Sequence, residues 1–377
     1  MIGRILKFQV NNDVLSNAVS FAVRLLNPRN RDGDQTSGVR IDADGKTVKL
    51  SVVEDETSGS IEIVANVETP GSVLIPGRLL LEIVTKLPNN LVNVEAEKNQ
   101  VNLTCAGSKF TLQTMDLARS LVSPPLEGTS GVVDGHELSE AIHKVANAAA
   151  KDVPMYAGVL FSTNGEKISL LATDRYRVAI DEMKWKSGKT ISDLDALVPA
   201  RMLTEIAKTF SNQGDVTITT KADTYRISFA SDSKVVTFAL LKTSLPALRE
   251  LFPESIDHFA IVNRQELIDS IRRAALVIVG DQALVMNFSG ENLHIEGASQ
   301  NAQVSETVGI ELTGDDLKVK LRPPFLLDGI SGVTTEFIKI GFTKSPNPNK
   351  PGPVLISNHG SKDSIDSYRY LLQPNLL

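Results

Sequence analysis

Apolar positions along the chain follow two alternating periods, and each switch between them marks an element boundary. Residues 11–26, 78–87, 135–151, 201–209, 264–277 and 322–331 carry apolar side chains at helical spacing and predict six helices. Between them lie runs that alternate apolar with polar residues and are rich in β-branched side chains. VNVEAEKNQVNLTCAGSKFTLQTM (92–115) and VTITTKADTYRISFASDSKVVTFALL (216–241) are the longest, and they predict antiparallel hairpins.

The pattern repeats. GSVLIPGRLLLEIVTKL (71–87) and LDALVPARMLTEIAKTF (194–210) share an apolar strand, a Pro, an Arg two residues on, and a helix with matching Leu and Glu positions. Pro76 and Pro199, Arg78 and Arg201, Leu80 and Leu203, Glu82 and Glu205, and Ile83 and Ile206 are each separated by 123 positions. A weaker third copy, VKLRPPFLLDGIS, sets Leu326 and Asp328 another 123 positions on, with Arg322 in place of the Pro. Three segments, 6–26, 131–149 and 259–277, run from a short strand through a polar turn into a helix whose apolar face opens with Leu15, Leu138 and Leu267. The expected fold is therefore α+β. It has three similar domains, 1–125, 131–251 and 258–377, each made of two strand–helix–strands modules, joined by Pro- and Ser-containing linkers at 122–131 and 251–258.

Composition narrows the function. The 377 residues hold a single cysteine and five scattered histidines, which disfavours a disulfide scaffold or a multi-thiolate metal site. Cys105, in an alternating strand, reads as a small buried hydrophobe. No apolar run approaches membrane-spanning length and the N-terminus lacks a secretory core, so a cytoplasmic protein is expected. The net charge of −6 argues against coating nucleic acid with a globally basic surface, yet the six helical segments together are slightly positive. No phosphate-cradling Gly-rich loop, metal-ligand spacing or nucleophile elbow is present, so no catalytic site, metal or cofactor is expected. Lys184, Trp185, Lys186 and Lys189 could stack single-stranded nucleic acid, but a loop between strands is the simpler reading.

LATDRYRVAI (171–180), the VPAR helix start, FTLQTM (110–115) and the tail YRYLLQPNLL (368–377), together with the threefold repeat, resemble the bacterial DNA polymerase III beta subunits, the beta sliding clamps. The resemblance covers the whole chain. It implies the DNA-clamp fold in a head-to-tail homodimeric ring, with helices lining a hole that encircles double-stranded DNA without sequence preference. The implied partners are the DNA polymerase III alpha subunit, the clamp loader, and other polymerases and repair proteins that present a short linear motif.

The same resemblance implies a partner-peptide groove at Tyr156, Thr173, Arg175, Tyr176, Arg177, Val178, Pro246, Leu251, Leu372, Gln373, Pro374 and Asn375. DNA contacts are expected at Arg24, Arg29, Arg31, Lys151, Arg272 and Arg273, and a dimer interface at Phe110 and Leu112 against Leu276 and Val277. The 27–36 loop, NPRNRDGDQT, matches poorly the Arg-Pro-rich segment usual in relatives, and the groove departs from the family pattern in three places. Many relatives carry Met or another apolar residue where it has Gln373 and Asn375, and often a basic residue at Glu250. The departures leave two expectations: a principal processivity clamp, or a diverged second clamp whose altered groove gives inhibitor resistance or serves specialised repair partners.

Overall fold

A computed structural model of the chain describes residues 5–26, 37–54, 56–119, 124–188, 194–344, 351–360 and 367–376. Arg29, Arg31 and Lys189 lie outside the described residues. The six expected helices are all present: α1 (Asn12–Arg24), α2 (Gly77–Lys86), α3 (Gly135–Val145), α4 (Ala200–Phe210), α5 (Arg264–Ala275) and α6 (Pro323–Ser331). Each is amphipathic for a visible reason. In α4 Leu203, Ile206, Ala207 and Phe210 fall on one stripe and are fully buried, each larger side chain contributing roughly 1.5–3 kcal/mol of transfer free energy. In α5 the Asn263 side chain caps the first turn by accepting from the backbone N–H groups of Gln265 and Glu266 at 3.0 and 3.1 Å.

α3 stops at Val145, six residues short of its expected end, and a 3-10 turn, Ala146–Ala148, follows. There the Asn147 carbonyl accepts from the Arg177 guanidinium at 2.6 Å. Pro154 opens a further 3-10 turn shortly afterwards, so no helix can run on through that point.

The contacts divide the chain into two units. Unit 1 gathers the described residues of 1–135, 187–192 and 208–240, and unit 2 those of 136–186, 193–207 and 241–377. Unit 1 holds an antiparallel five-stranded sheet in the order Asn66–Thr69, Leu6–Asn11, Leu91–Ala96, Gln100–Cys105, Ser108–Gln113. It also holds a nine-stranded sheet in which the hairpins of the first repeat continue into those of the second. The joint is the antiparallel pairing of Lys234–Ala239 with Thr57–Val64, Lys234 opposite Ile61 and Phe238 opposite Thr57. Unit 2 holds twelve linked strands with the same joint one repeat later: Arg369–Leu372 pairs with Arg177–Lys184, Arg177 opposite Leu372 and Ile180 opposite Arg369.

In both joints the last strand of one repeat pairs with the fourth strand of the repeat before it. Two strands are left out of this scheme. Ser108–Gln113, the last strand of the first repeat, ends its sheet and, among the described residues, pairs on one side only. Gln303–Thr313, the fourth strand of the third repeat, pairs with Asn292–Ala298 over residues 303–309 and with Phe259–Asn263 over residues 310–313. Over 303–309 it therefore keeps one edge open among the described residues.

Cys105 is buried in its strand, as expected, with its sulfur 3.7 Å from the Pro88 carbonyl. Trp185 is buried too, which removes it as a stacking platform for bases. Among the described residues no helix is long and apolar enough to cross a membrane.

Candidate functional site

The ATDRYR segment is a tight turn between the strands Lys167–Thr173 and Arg177–Lys184, and its side chains build it. The Thr173 hydroxyl donates to the Arg177 carbonyl at 2.6 Å and accepts from the Arg175 N–H at 3.0 Å. Asp174 accepts from the backbone N–H groups of Tyr176 and Arg177 at 3.0 and 3.2 Å. Arg175 carries a φ of +82°, in the left-handed region that glycine favours. Thr173 is thus 2 % exposed and serves as scaffold.

Arg177 does not line a surface either. Its side chain is 7 % exposed and reaches Asp174 at 2.8 Å, Asp328 at 2.5 Å, the Tyr370 hydroxyl at 3.2 Å and the Asn147 carbonyl at 2.6 Å, and it lies 4.4 Å from the centre of the Phe325 ring. Burial opposes its charge, but Tyr370, Asp328 and Asp174 outweigh that and push its pKa up. Burial likewise pushes the Tyr370 hydroxyl up, against the pull of Arg177. An expected groove contact is therefore an internal tie, because four elements converge on one guanidinium.

The tail is held just as firmly. Leu372 is 1 % exposed in a strand paired on both sides, so it too is core and not wall. The Tyr368 and Tyr370 hydroxyls donate to the Gly329 and Phe325 carbonyls of α6 at 3.0 and 2.7 Å. A Cβ on Gly332 would sit 2.1 Å from the Tyr368 ring, which explains the glycine at that close approach. Beyond the strand, the Gln373 N–H donates to the Tyr176 carbonyl at 2.9 Å, its side-chain amide donates to the Pro351 carbonyl at 3.2 Å, and the Asn375 N–H donates to the Lys320 carbonyl at 2.8 Å. Pro374 is buried between them, while Asn375 is half-buried.

Beside the turn Leu171, Val178, Ile180, Phe252, Leu355 and Leu371 form a small apolar cluster, against which Leu160, Leu245, Leu248 and Ile256 pack half-buried. Pro246 and Leu251 stand exposed at its margin, Leu251 being 56 % exposed. Of the expected groove residues only Val178 belongs to this cluster. Leu171, Phe252, Leu355 and Leu371 were missed. Their one sequence signal is that strands such as KISLLAT and VLISN are apolar on both faces, which sequence alone reads as ordinary core. Next to the cluster lies an aromatic ledge: Tyr176, 48 % exposed, stacks on Phe325 at 6.1 Å, with the Arg322 guanidinium 5.2 Å from its ring centre and Arg175 5.9 Å from that of Tyr156. Phe325 and Arg322 were also missed.

The remaining expected residues divide. Arg24, Lys151 and Arg272 are exposed, at the last turn of α1, beyond the end of α3 and in the last turn of α5 respectively. Arg273 is exposed as well, and its guanidinium pairs with Glu306 of the neighbouring strand at 2.6 Å and lowers the pKa of that carboxyl through the hydrogen bond. Phe110 is 38 % and Leu276 84 % exposed and Val277 is half-buried; Phe110 lies in the unmatched strand Ser108–Gln113, and Leu276 directly follows α5, which packs against Gln303–Thr313. Leu112 is a correction: it is 2 % exposed because it faces Val101 inside the core of its own sheet.

Comparison with known proteins agrees with this architecture. Family models for the DNA polymerase III beta subunit match residues 6–119 (N-terminal domain), 132–247 (central domain) and 249–366 (C-terminal domain). A beta sliding clamp of Streptomyces coelicolor is 31 % identical over 98 % of this chain and 99 % of its own length. The beta sliding clamp homolog GriR of Streptomyces muensis is also 31 % identical, over 98 % of this chain and 99 % of its own. A DnaN sliding clamp from Pseudomonas aeruginosa bound to griselimycin superposes with a TM-score of 0.88 at 21 % identity, covering 99 % of this chain and 100 % of that one. The chain belongs to the DNA polymerase III beta subunit family, the beta sliding clamps.

Proposed function

We propose that two copies of this chain, each of three domains spanning about 1–125, 131–251 and 258–377, close head to tail into a ring around duplex DNA. One observation carries the reading. The joint between repeats occurs twice within the chain and leaves one unmatched strand in the first repeat and one in the third. Pairing residues 108–113 of one copy with 303–309 of the other makes the same joint again, covers these two open edges, and completes the repeat-to-repeat joints in a closed two-fold assembly. Phe110 and Leu276 would be covered with it. A net-negative protein then holds DNA by enclosure, with Arg24, Lys151 and Arg272 as phosphate contacts that carry no base preference.

The ring needs no catalytic group or cofactor of its own, and it works in the cytoplasm. Its partners, the polymerase III alpha subunit, the clamp loader, and other polymerases and repair proteins, dock linear peptides on the apolar cluster and aromatic ledge. A polymerase that lets go of the primer end stays tethered, so its rebinding is intramolecular and outpaces loss to solution. Loaded by a compatible clamp loader and ATP onto nicked circular DNA, the protein should survive a salt wash and be released when the circle is cut. Equal loss from intact circles and linear DNA overturns the enclosure.

A second reading is favoured by Gln373 and Asn375, which put amides where many relatives present apolar side chains. In it the chain is a diverged second clamp that tolerates a groove-directed inhibitor or serves specialised repair partners. The equal identity to GriR and to the S. coelicolor clamp leaves both readings supported.

A further inference from the structure

The apolar cluster beside the ATDRYR turn has a counterpart at the joint between the first and second repeats. Each joint opens with the first residue of a fourth strand opposite a residue of a last strand, Arg177 with Leu372 in one and Thr57 with Phe238 in the other. Counting along the paired strands from there sets five cluster positions, Leu171, Val178, Ile180, Leu355 and Leu371, against Ser51, Ser58, Ser60, Ser228 and Thr237. Each apolar side chain of the one site is a hydroxyl in the other. The five hydroxyl residues line a cavity of about 190 Å³ in unit 1. Pro124, Pro125 and Leu126 of the linker after the first repeat border it, as Phe252 of the next linker borders the cluster.

Ser58, Ser228 and Thr237 are 3, 5 and 6 % exposed, and their hydroxyls make no hydrogen bond with any described residue. A polar group so deeply covered needs a partner, and the cavity these three line is where one can sit. Lys49, at the cavity's edge, does not make it a site for ions, because it stands between Asp42 and Glu62 on the neighbouring strands. We propose that this cavity binds a small neutral polyol, of triol to pentose size. Hydroxyls suit such a ligand because each side can donate or accept, and the C–H face of a sugar packs on the rings of Pro124 and Pro125. The volume corresponds to roughly six waters at about 30 Å³ each, which a molecule of that size displaces. Exchanging water for neutral hydrogen bonds gains little, so the affinity should be in the millimolar range.

The test uses the full chain, methyl-labelled at Val and Leu and followed by NMR while glycerol, D-ribose and D-glucose are each titrated to tens of millimolar. At least one should bind saturably with shifts centred on Val52, Val53, Leu126 and Val235, which border the cavity. Ser58→Ala with Thr237→Val removes two hydroxyls at nearly constant shape and should weaken that ligand about fivefold or more. Ser228→Ala alone should weaken it too, and it carries the test if the double variant does not fold. Absence of any saturable shift with all three polyols overturns the site. Shifts centred outside the cavity, or an affinity that folded variants leave unchanged, overturn it equally. If inorganic phosphate or ammonium moves the same methyls and the polyols do not, the ligand class is wrong.

Discussion

Replacing Arg177 with methionine deletes the side chain on which the ATDRYR turn, the Asn147 carbonyl, α6 and the tail strand converge. The size of the loss follows from what is left behind. Removing one partner of a buried ion pair costs about 3–5 kcal/mol when the other charge is stranded. Here Asp174 keeps its two backbone N–H donors, and Asp328, 38 % exposed, can turn to water. The Tyr370 hydroxyl still donates to Phe325. The expected cost is therefore at the low end, about 3 kcal/mol, which for a unit of this size lowers the melting temperature by roughly 6–12 °C. The chain has one tryptophan, Trp185, buried in unit 2, so its fluorescence reports the unfolding of that unit. Arg177→Lys should lose nearly as much, since an ammonium cannot satisfy four partners with the geometry of a planar fork. If the Trp185 transition of Arg177→Met matches the native one while peptide affinity drops, Arg177 contacts ligand directly and the internal-tie reasoning is refuted.

Other consequences can be checked separately. Leu276→Asp should shift the protein from dimer to monomer in sedimentation with the monomer intact, whereas Leu112→Ala should cost about 2–5 kcal/mol of unit 1 stability by opening a core cavity; a Leu276→Asp protein still dimeric at nanomolar concentration would place the interface elsewhere. Gln373→Met with Asn375→Met should tighten a Gln/Leu/Phe peptide several-fold in calorimetry, because a micromolar complex is only about 8 kcal/mol and each covered apolar side chain is a sizeable part of that; unchanged affinity would show that these positions do not touch ligand. Burial raises the pKa of Asp181, against the stabilising pull of Lys144 at 3.2 Å. A raised folded pKa means its contribution is full below the unfolded value near ~3.9 and is lost as pH rises through the folded one, so the stability of the native protein relative to Asp181→Asn should fall as pH rises above about 4. A difference that grows with pH would contradict this.

The sequence by itself determined the α+β class and the six helices, because these depend on spacing within about twenty residues, such as the stripe of Leu203 and Ile206 and the alternation through residues 92–115, and it determined the repeat because the Pro, Arg and Glu positions match in identity at a fixed offset of 123. It also located the ATDRYR turn and the Tyr-rich tail as one region, through their resemblance to a family. What each side chain does there depended on tertiary structure. Thr173, Arg177 and Leu372 read as groove walls, yet are buried by partners as near as Arg177 to Thr173 and as far as Tyr370 and Leu372 to Arg177. Leu112 reads as an edge anchor in sequence, but the register of its hairpin sets it opposite Val101 and buries it. The cluster of Leu171, Phe252 and Leu355 is assembled from strands and a turn that become neighbours only when the third repeat's last strand pairs with the second repeat's fourth. Local periodicity states which face of an element is apolar. Which face of another element covers it, and which charges are thereby removed from water, is decided by strand register between residues nearly two hundred positions apart.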